Sequence, residues 1–415
     1  MAHDPIGPGL DRPLGFTESL CARWYEVIPC GLQVVAAVVC ARTVTRAHLV
    51  RAVDRICAHH PAAASRVVDD GTGCLRFAPA VPGAVAVAEA PPGTRWRDRY
   101  AAQLSSPLDP TQALWRVELV ADPVDADVPT VVLVTGCHTI LDGISATSVL
   151  RELLGANDVT SDGPLPAMED LLPVEAPAAA PGASPEADRW PVARRAPSQE
   201  RTFGFTDRTI DRDLVVALQQ RAHVERTTIG ALLAVACSRA RHVVPAATDH
   251  VGFNVPYDVR PRTTPKLPAT AVGAYFGRAH VFASGARCDA EPWDAARDLS
   301  EQLQHELATM VRPTSWDDET IRALLRDICR DDRSSFDLGV LLTDLGACDL
   351  GPDVTACFVT TVQTTGVEAF VVSAVSPEER DLCLGIGWPR PLVDDDTAHR
   401  YADELVRQLA RLAAP

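Results

Sequence analysis

Lysine is almost missing from this chain: of 39 basic residues all but Lys266 are arginine, and 55 acids leave a formal net charge of −16. That balance lacks the cation surplus that a nucleic acid or an anionic lipid surface demands, so neither is expected as a partner. Long apolar runs are missing too. The longest, residues 31–41 (GLQVVAAVVCA), falls well short of the roughly 20 residues of a spanning helix and reads as a buried strand. The opening residues MAHDPIGPGLDRPLG have no basic start followed by an apolar core, so no secretory signal is expected. Cysteine is present, twelve times, but without CxxC or paired His/Cys spacing, which argues against a zinc ribbon, a bound metal or a disulfide scaffold. Scattered thiols of this kind suit a reducing cytoplasm.

What is there is the composition of a globular protein, 47% hydrophobic and 23% charged over 415 residues, enough for two domains or one large pseudo-duplicated one. Val-rich Gln33 to Cys40 reads as a buried strand and Thr45 to His59 as a helix capped by Thr45 and stopped by Pro61, with His59 and His60 near its last carbonyls. Strands follow at Trp115 to Val120 and Thr130 to Thr135, then a helix at Ile144 to Leu154. From Gly155 to about Ser198 the composition turns to Pro, Ala, Gly and Asp, the mark of a linker. The second half resumes with a strand at Phe203 to Ile210, a helix from Asp211, and an apolar helix opened by Thr228. A strand, His250 to Val255, runs into the loop holding Arg260, and further helices are expected at Asp294 to Met310, at Asp317 to Asp331 and at the C-terminus. These boundaries give a first domain at 1–165, a linker at 166–200 and a second domain at 201–415, each mixing α and β.

The informative segment is Gly136-Cys137-His138-Thr139-Ile140-Leu141-Asp142-Gly143. A histidine leaving a buried strand, with Asp four residues on and Gly after it, makes a tight turn that projects the imidazole into a cleft at the strand edge, as a general base requires. Asp142 with an ordinary pKa is too weak a base for an alcohol or amine, so its role is a structural ion pair. The partner expected for it is Arg260, which follows an apolar strand of the other half and offers a bidentate, charge-assisted contact. Plainer readings stand beside these: His138 as a core histidine of a silent site, and Arg260 as one more surface cation.

The string resembles the HHxxxDG signature of the superfamily of peptide-synthetase condensation domains, polyketide-associated acyltransferases, wax-ester synthases and chloramphenicol acetyltransferase. Leu114-Trp115-Arg116-Val117, His60-Pro61, the stretch Asn254 to Arg260 and the turn Thr343-Asp344-Leu345-Gly346 fall in the order of the family's other, looser motifs, so the resemblance spans nearly the whole chain. It implies an α/β (α+β) fold of two chloramphenicol-acetyltransferase-like subdomains in a V-shaped pseudo-dimer with a tunnel between them. It also implies that His138 is the catalytic base and that the Gly143 amide is a candidate donor to the oxyanion. Two positions depart from the pattern. Cys137 replaces the first histidine, leaving open a thiol nucleophile or a packed, inert side chain; the alternation of a strand points Cys137 away from His138, against a dyad. Asp344 stands where the family's turn has Asn, which leaves that turn's role in doubt.

The function this implies is acyl transfer from a thioester, either CoA or acyl carrier protein, to a hydroxyl or amine of a small-molecule acceptor in polyketide, nonribosomal peptide or antibiotic biosynthesis. No bound cofactor is expected, and an acyl carrier protein is a candidate partner. The alternatives are a free-standing condensation enzyme joining carrier-bound substrates through an amide, and a silent or repurposed module.

Overall fold

The computed structural model describes residues 9–28, 30–155, 163–173, 201–245, 247, 249–309, 319, 321–322, 339–362, 368–378 and 380–414. The first half runs β1 (Arg12–Pro13), α1 (Phe16–Val27), β2 (Gln33–Cys40), α2 (Arg46–His59), β3 (Ser65–Asp69), β4 (Leu75–Pro79), β5 (Val87–Glu89), α3 (Trp96–Ser105), β6 (Trp115–Ala121), β7 (Thr130–Cys137), α4 (Gly143–Leu153) and α5 (Met168–Leu171). The second runs β8 (Thr202–Ile210), α6 (Arg212–Val224), α7 (Ile229–Ala240), β9 (His250–Asp258), β10 (Phe276–Ser284), α8 (Gly285–Ala290), α9 (Pro292–Ala308), β11 (Gly339–Cys348), β12 (Val354–Thr361), β13 (Glu368–Pro377), β14 (Leu382–Arg390) and α10 (Asp395–Ala413).

Two main sheets result, one per half, in the orders β12-β2-β7-β6-β5 and β10-β9-β11-β13-β14-β8, beside a small β1-β4-β3 sheet. Every residue of β2 is buried because both faces of its sheet are covered. Val34, Ala36 and Val38 enter one core with α2 and α4, while Val35, Ala37 and Val39 enter another with α3 and β8. Helix starts follow side-chain caps: Thr45, Asp142, Asp211, Thr228 and Asp394 each accept a backbone N–H from their own first turn.

The halves are tied by an exchanged strand. β12, from the second half, pairs antiparallel with β2 of the first sheet, Phe358 opposite Ala37. Phe358 then stacks on Trp96 of α3 at 5.6 Å, and Phe205 of β8 stacks on Tyr100 at 3.8 Å, an aromatic cluster across the junction. α3 carries Trp96, Arg97 and Tyr100 to this seam, where Arg97 also pairs with Asp207 of β8.

One boundary is corrected. Residues 166–173 are not linker: Met168, Leu171 and Leu172 are buried, and the Glu169 carboxylate accepts hydrogen bonds from the Thr17 amide (2.8 Å) and hydroxyl (2.6 Å) of α1. Three apolar residues at helical spacing outweigh the Pro-rich surroundings there. Residues 174–200 lie outside the described residues, as does most of the helix expected at 317–331. Gly385 to Trp388 lie inside β14, and Gly204 opposite Trp388 leaves room for the indole, which a Cβ at 204 would meet at 2.0 Å.

Candidate active site

β7 is a central strand of the first sheet, and its end sets the site. After Cys137 the amides of Ile140 and Leu141 both donate to the Cys137 carbonyl at 3.1 Å, closing the tight turn. Leu141 folds back so closely that a Cβ on Gly136 would meet it at 2.6 Å, which is why this position takes glycine. His138 sits on the turn, its amide donating to the Leu32 carbonyl at 3.2 Å, and its ring faces Phe276 of β10 at 4.3 Å between centroids.

Asp142 caps α4 and is 2% exposed. Its carboxylate accepts from the Ser145 amide (2.7 Å), from the Tyr275 amide of the other half (2.9 Å), and from Arg260 Nη2 (3.0 Å). Burial alone would raise its carboxyl, but the Arg260 charge and these donors outweigh it and hold Asp142 below the usual carboxylate range. Arg260, 1% exposed, stands on the turn after β9. Besides Asp142 it donates to Ser145 Oγ, to the Ala271 carbonyl and to Asp258, and its guanidinium lies over the Tyr275 ring at 5.1 Å. The two residues that the sequence pairs across the chain thus meet, and every donor of the fork that faces inward finds an acceptor.

His138, Asp142, Gly143 and Arg260 line one tunnel of about 790 Å³ whose walls come from both halves. The lining is mainly apolar, with Leu20, Leu32, Met168, Ile229, Leu299 and Leu341 among its residues. The His138 Nδ1 atom is buried without a hydrogen-bond partner. Burial is the main reason the imidazole is pushed down to about 4; the Asp142 charge works against that shift and the Arg278 charge adds to it. His138 is therefore neutral at physiological pH, free to accept a proton but with its basicity reduced by that burial.

Gly143 is the first residue of α4, so its N–H belongs to the first-turn amides that have no intrahelical acceptor. It is closely packed: a Cβ there would meet the tip of the Leu345 side chain at 2.7 Å, which would have to shift. Cys137 lies on the far side of the strand, 1% exposed in the first core and not on the tunnel, and burial pushes its thiol well up. That environment holds the thiol protonated and packed.

Thr343 to Gly346, expected as a turn, lies instead within β11, where the register slips between Asp344 and Ala347 and Gly346 takes a positive φ of 65°. Asp344, just before the shift, lines the tunnel, and although its side chain is solvent-accessible, desolvation by the surrounding wall raises its carboxyl. The sequence reading missed Tyr275, Phe276 and Arg278, because β10 follows an irregular loop; the alternation Phe276, Arg278, His280, Phe282 was the available signal. Among the described residues no group of three His, Cys, Asp or Glu is placed to hold a metal, and no helix is long and apolar enough to cross a membrane.

Comparison with known proteins gives a fold. Residues 199–316 match a family model described as the phthiocerol/phthiodiolone dimycocerosyl transferase C-terminus, and no curated protein matches. Among solved structures, the chain is similar to trichothecene 15-O-acetyltransferase from Fusarium sporotrichioides, with TM-score 0.69 and 11% identity over 97% of this chain and 95% of that one. It is similar to the condensation domain of the monacolin K polyketide synthase, with TM-score 0.66 and 11% identity over 98% of both chains. Polyketide synthase associated protein 5 from Mycobacterium tuberculosis gives TM-score 0.63 and 14% identity over 99% of both. The chain has the two-subdomain, chloramphenicol-acetyltransferase-like fold of these condensation domains and acyltransferases, the superfamily its Gly136 to Gly143 string resembles.

Proposed function

We propose that the protein transfers an acyl group from a thioester, carried by CoA or by an acyl carrier protein, to a hydroxyl or amine of a small-molecule acceptor. The observation that carries this reading is the neutral His138 on a mainly apolar tunnel, its turn fixed from both sides by the Asp142–Arg260 pair. His138 takes the proton of the acceptor O–H or N–H as the heteroatom attacks the thioester carbonyl carbon. The tetrahedral intermediate then expels the thiolate, the C–S bond breaks, and the imidazolium returns the proton to sulfur. The Gly143 amide at the start of α4 is the donor proposed for the oxyanion, where the helix N-terminus favours negative charge. No cofactor takes part beyond the thioester itself.

A panel of acyl-CoAs and carrier-bound acyl groups, presented with alcohol and amine acceptors, tests this with wild type and His138→Ala side by side. Removal of the base is expected to lower turnover by roughly 10² to 10⁴. Equal turnover by both proteins removes His138 from the mechanism. The fold of condensation domains supports a second reading, amide formation between two carrier-bound substrates. A protein that turns over only when both substrates are loaded on phosphopantetheinylated carriers follows that route.

A further inference from the structure

Two arginines line the tunnel near His138, and they differ in what holds them. Arg260 is buried and fully engaged, as described above. Arg278, on β10, is exposed into the cavity and, among the described residues, forms no ion pair or hydrogen bond. Arg51, Arg55 and Arg95 are equally without a side-chain partner, but none of them lines the cavity; Arg278 is set apart by its place on the wall beside His138.

The strand fixes where Arg278 points. Ala279, Val281 and Ala283 are buried, the last two in the core of the second half, so Phe276, Arg278 and His280 fall on the opposite face; all three line the tunnel, which Val281 also reaches from the core side. Phe276 is the residue packed on the His138 ring. Arg278 is therefore the next step along the wall, roughly 7 Å of strand beyond the residue that covers the base. The same cavity wall carries apolar side chains such as Val255, Leu299 and Leu303. The acids lining the cavity form no ion pair with it: Asp142 and Asp258 are engaged by Arg260, and neither Glu306 of α9 nor Asp344 of β11 pairs with Arg278, while Glu368 of β13, buried behind the wall, feels its charge without an ion pair. A guanidinium with free donors in such a setting is built for a planar anion, carboxylate or phosphate, which it grips bidentately.

We propose that Arg278 is the anion-binding residue of the tunnel, so that a substrate carries one carboxylate or phosphate that reaches this wall while its reacting atom lies at His138. The inference rests on the acyl-transfer reading for the identity of that reacting atom. Two sources share this chemistry, a carboxylate on the acceptor and a phosphate on the pantetheine arm of the donor.

Calorimetric binding to wild type, Arg278→Gln and Arg278→Lys separates them with two probe pairs: 3-hydroxydecanoate against its methyl ester, and coenzyme A against pantetheine. In wild type one charged probe is expected to bind about ten- to a hundredfold tighter than its neutral counterpart, the range of a charge-assisted hydrogen bond. Arg278→Gln abolishes that preference and Arg278→Lys restores part of it. A preference for the acid places the anion on the acceptor, and a preference for coenzyme A places it on the donor. Charged and neutral probes binding alike to wild type, or a preference that survives Arg278→Gln, overturns the proposal. Arg278 has no partner to lose, so an unchanged thermal melt is expected and guards against misfolding as a cause. The binding arm needs no turnover: a preference without acyl transfer removes the acyl-transfer reading alone, and acyl transfer without a preference removes this inference alone.

Discussion

Asp142 and Glu152 stand at opposite ends of α4, 2% and 3% exposed, and the molecule neutralises them by different means. At the N-terminal end the helix dipole already favours a carboxylate, and the remaining compensation arrives from the other half of the chain as Arg260 and the Tyr275 amide. At the C-terminal end the dipole disfavours one. There the donors come from the same half: His60 Nε2 lies 2.5 Å and His59 Nδ1 3.2 Å from the Glu152 carboxylate, both from the end of α2. One buried acid closes a single half on itself. The other joins two halves and fixes the turn bearing His138, so similar chemistry serves packing at one end and the site at the other.

The sharpest way to break this comparison is to remove one partner at the junction. Arg260→Ala leaves Asp142 buried without its cation, and a loss of about 3–5 kcal/mol is expected in chemical denaturation, as for other broken buried pairs. Acyl transfer should fall with it even at temperatures where the variant stays folded, because the Asp142 turn carries His138. A variant of unchanged stability and activity would show that the pair does not organise the site.

At the other end Glu152→Gln tests the packing role. It removes a charge but keeps one carbonyl acceptor, so only one of the two imidazoles loses its partner, and a loss of about 1–3 kcal/mol is expected. Activity in the folded state should match wild type. If Glu152→Gln lowered kcat/KM as far as Arg260→Ala does, the division between the two ends would fail.

How much of this could be read from the sequence follows from the range over which each interaction acts. The strand–turn–helix at Gly136 to Gly143 was legible because capping, glycine spacing and the burial of β7 are local. Arg260 was reachable because it directly follows an apolar strand. His59 and His60 were assigned to the last carbonyls of α2, and their contact with Glu152, 92 residues past His60, had no local signal. The same holds for β12, whose crossing to β2 has no local sign, and for Arg278, one of many arginines until β10 fixes its face. Pairing across halves is decided by tertiary register, which a single sequence does not display.

The smallest expected effects concern the acid limb of activity, and they compare the ends of α4 by distance. With its imidazole pushed down to about 4 by burial, His138 stays neutral in the folded protein where an unfolded histidine, near 6.5, is already charged. Stability from this residue is therefore full above about 6.5 and declines as pH falls toward 4, and kcat/KM should hold until close to pH 4. The groups that tune the limb are Asp142, whose charge favours the imidazolium, and Arg278, whose charge opposes it. Arg278→Gln should move the limb to higher pH, and Asp142→Asn to lower pH. Glu152 lies about 15 Å away along the helix, farther than Asp142, and is engaged by His59 and His60, so Glu152→Gln should move the limb far less than Arg278→Gln does. A limb displaced by Glu152→Gln as far as by Arg278→Gln would mean that the far end of α4 reaches the base through structure instead of charge, and the separation of the two carboxylates would be one of position only.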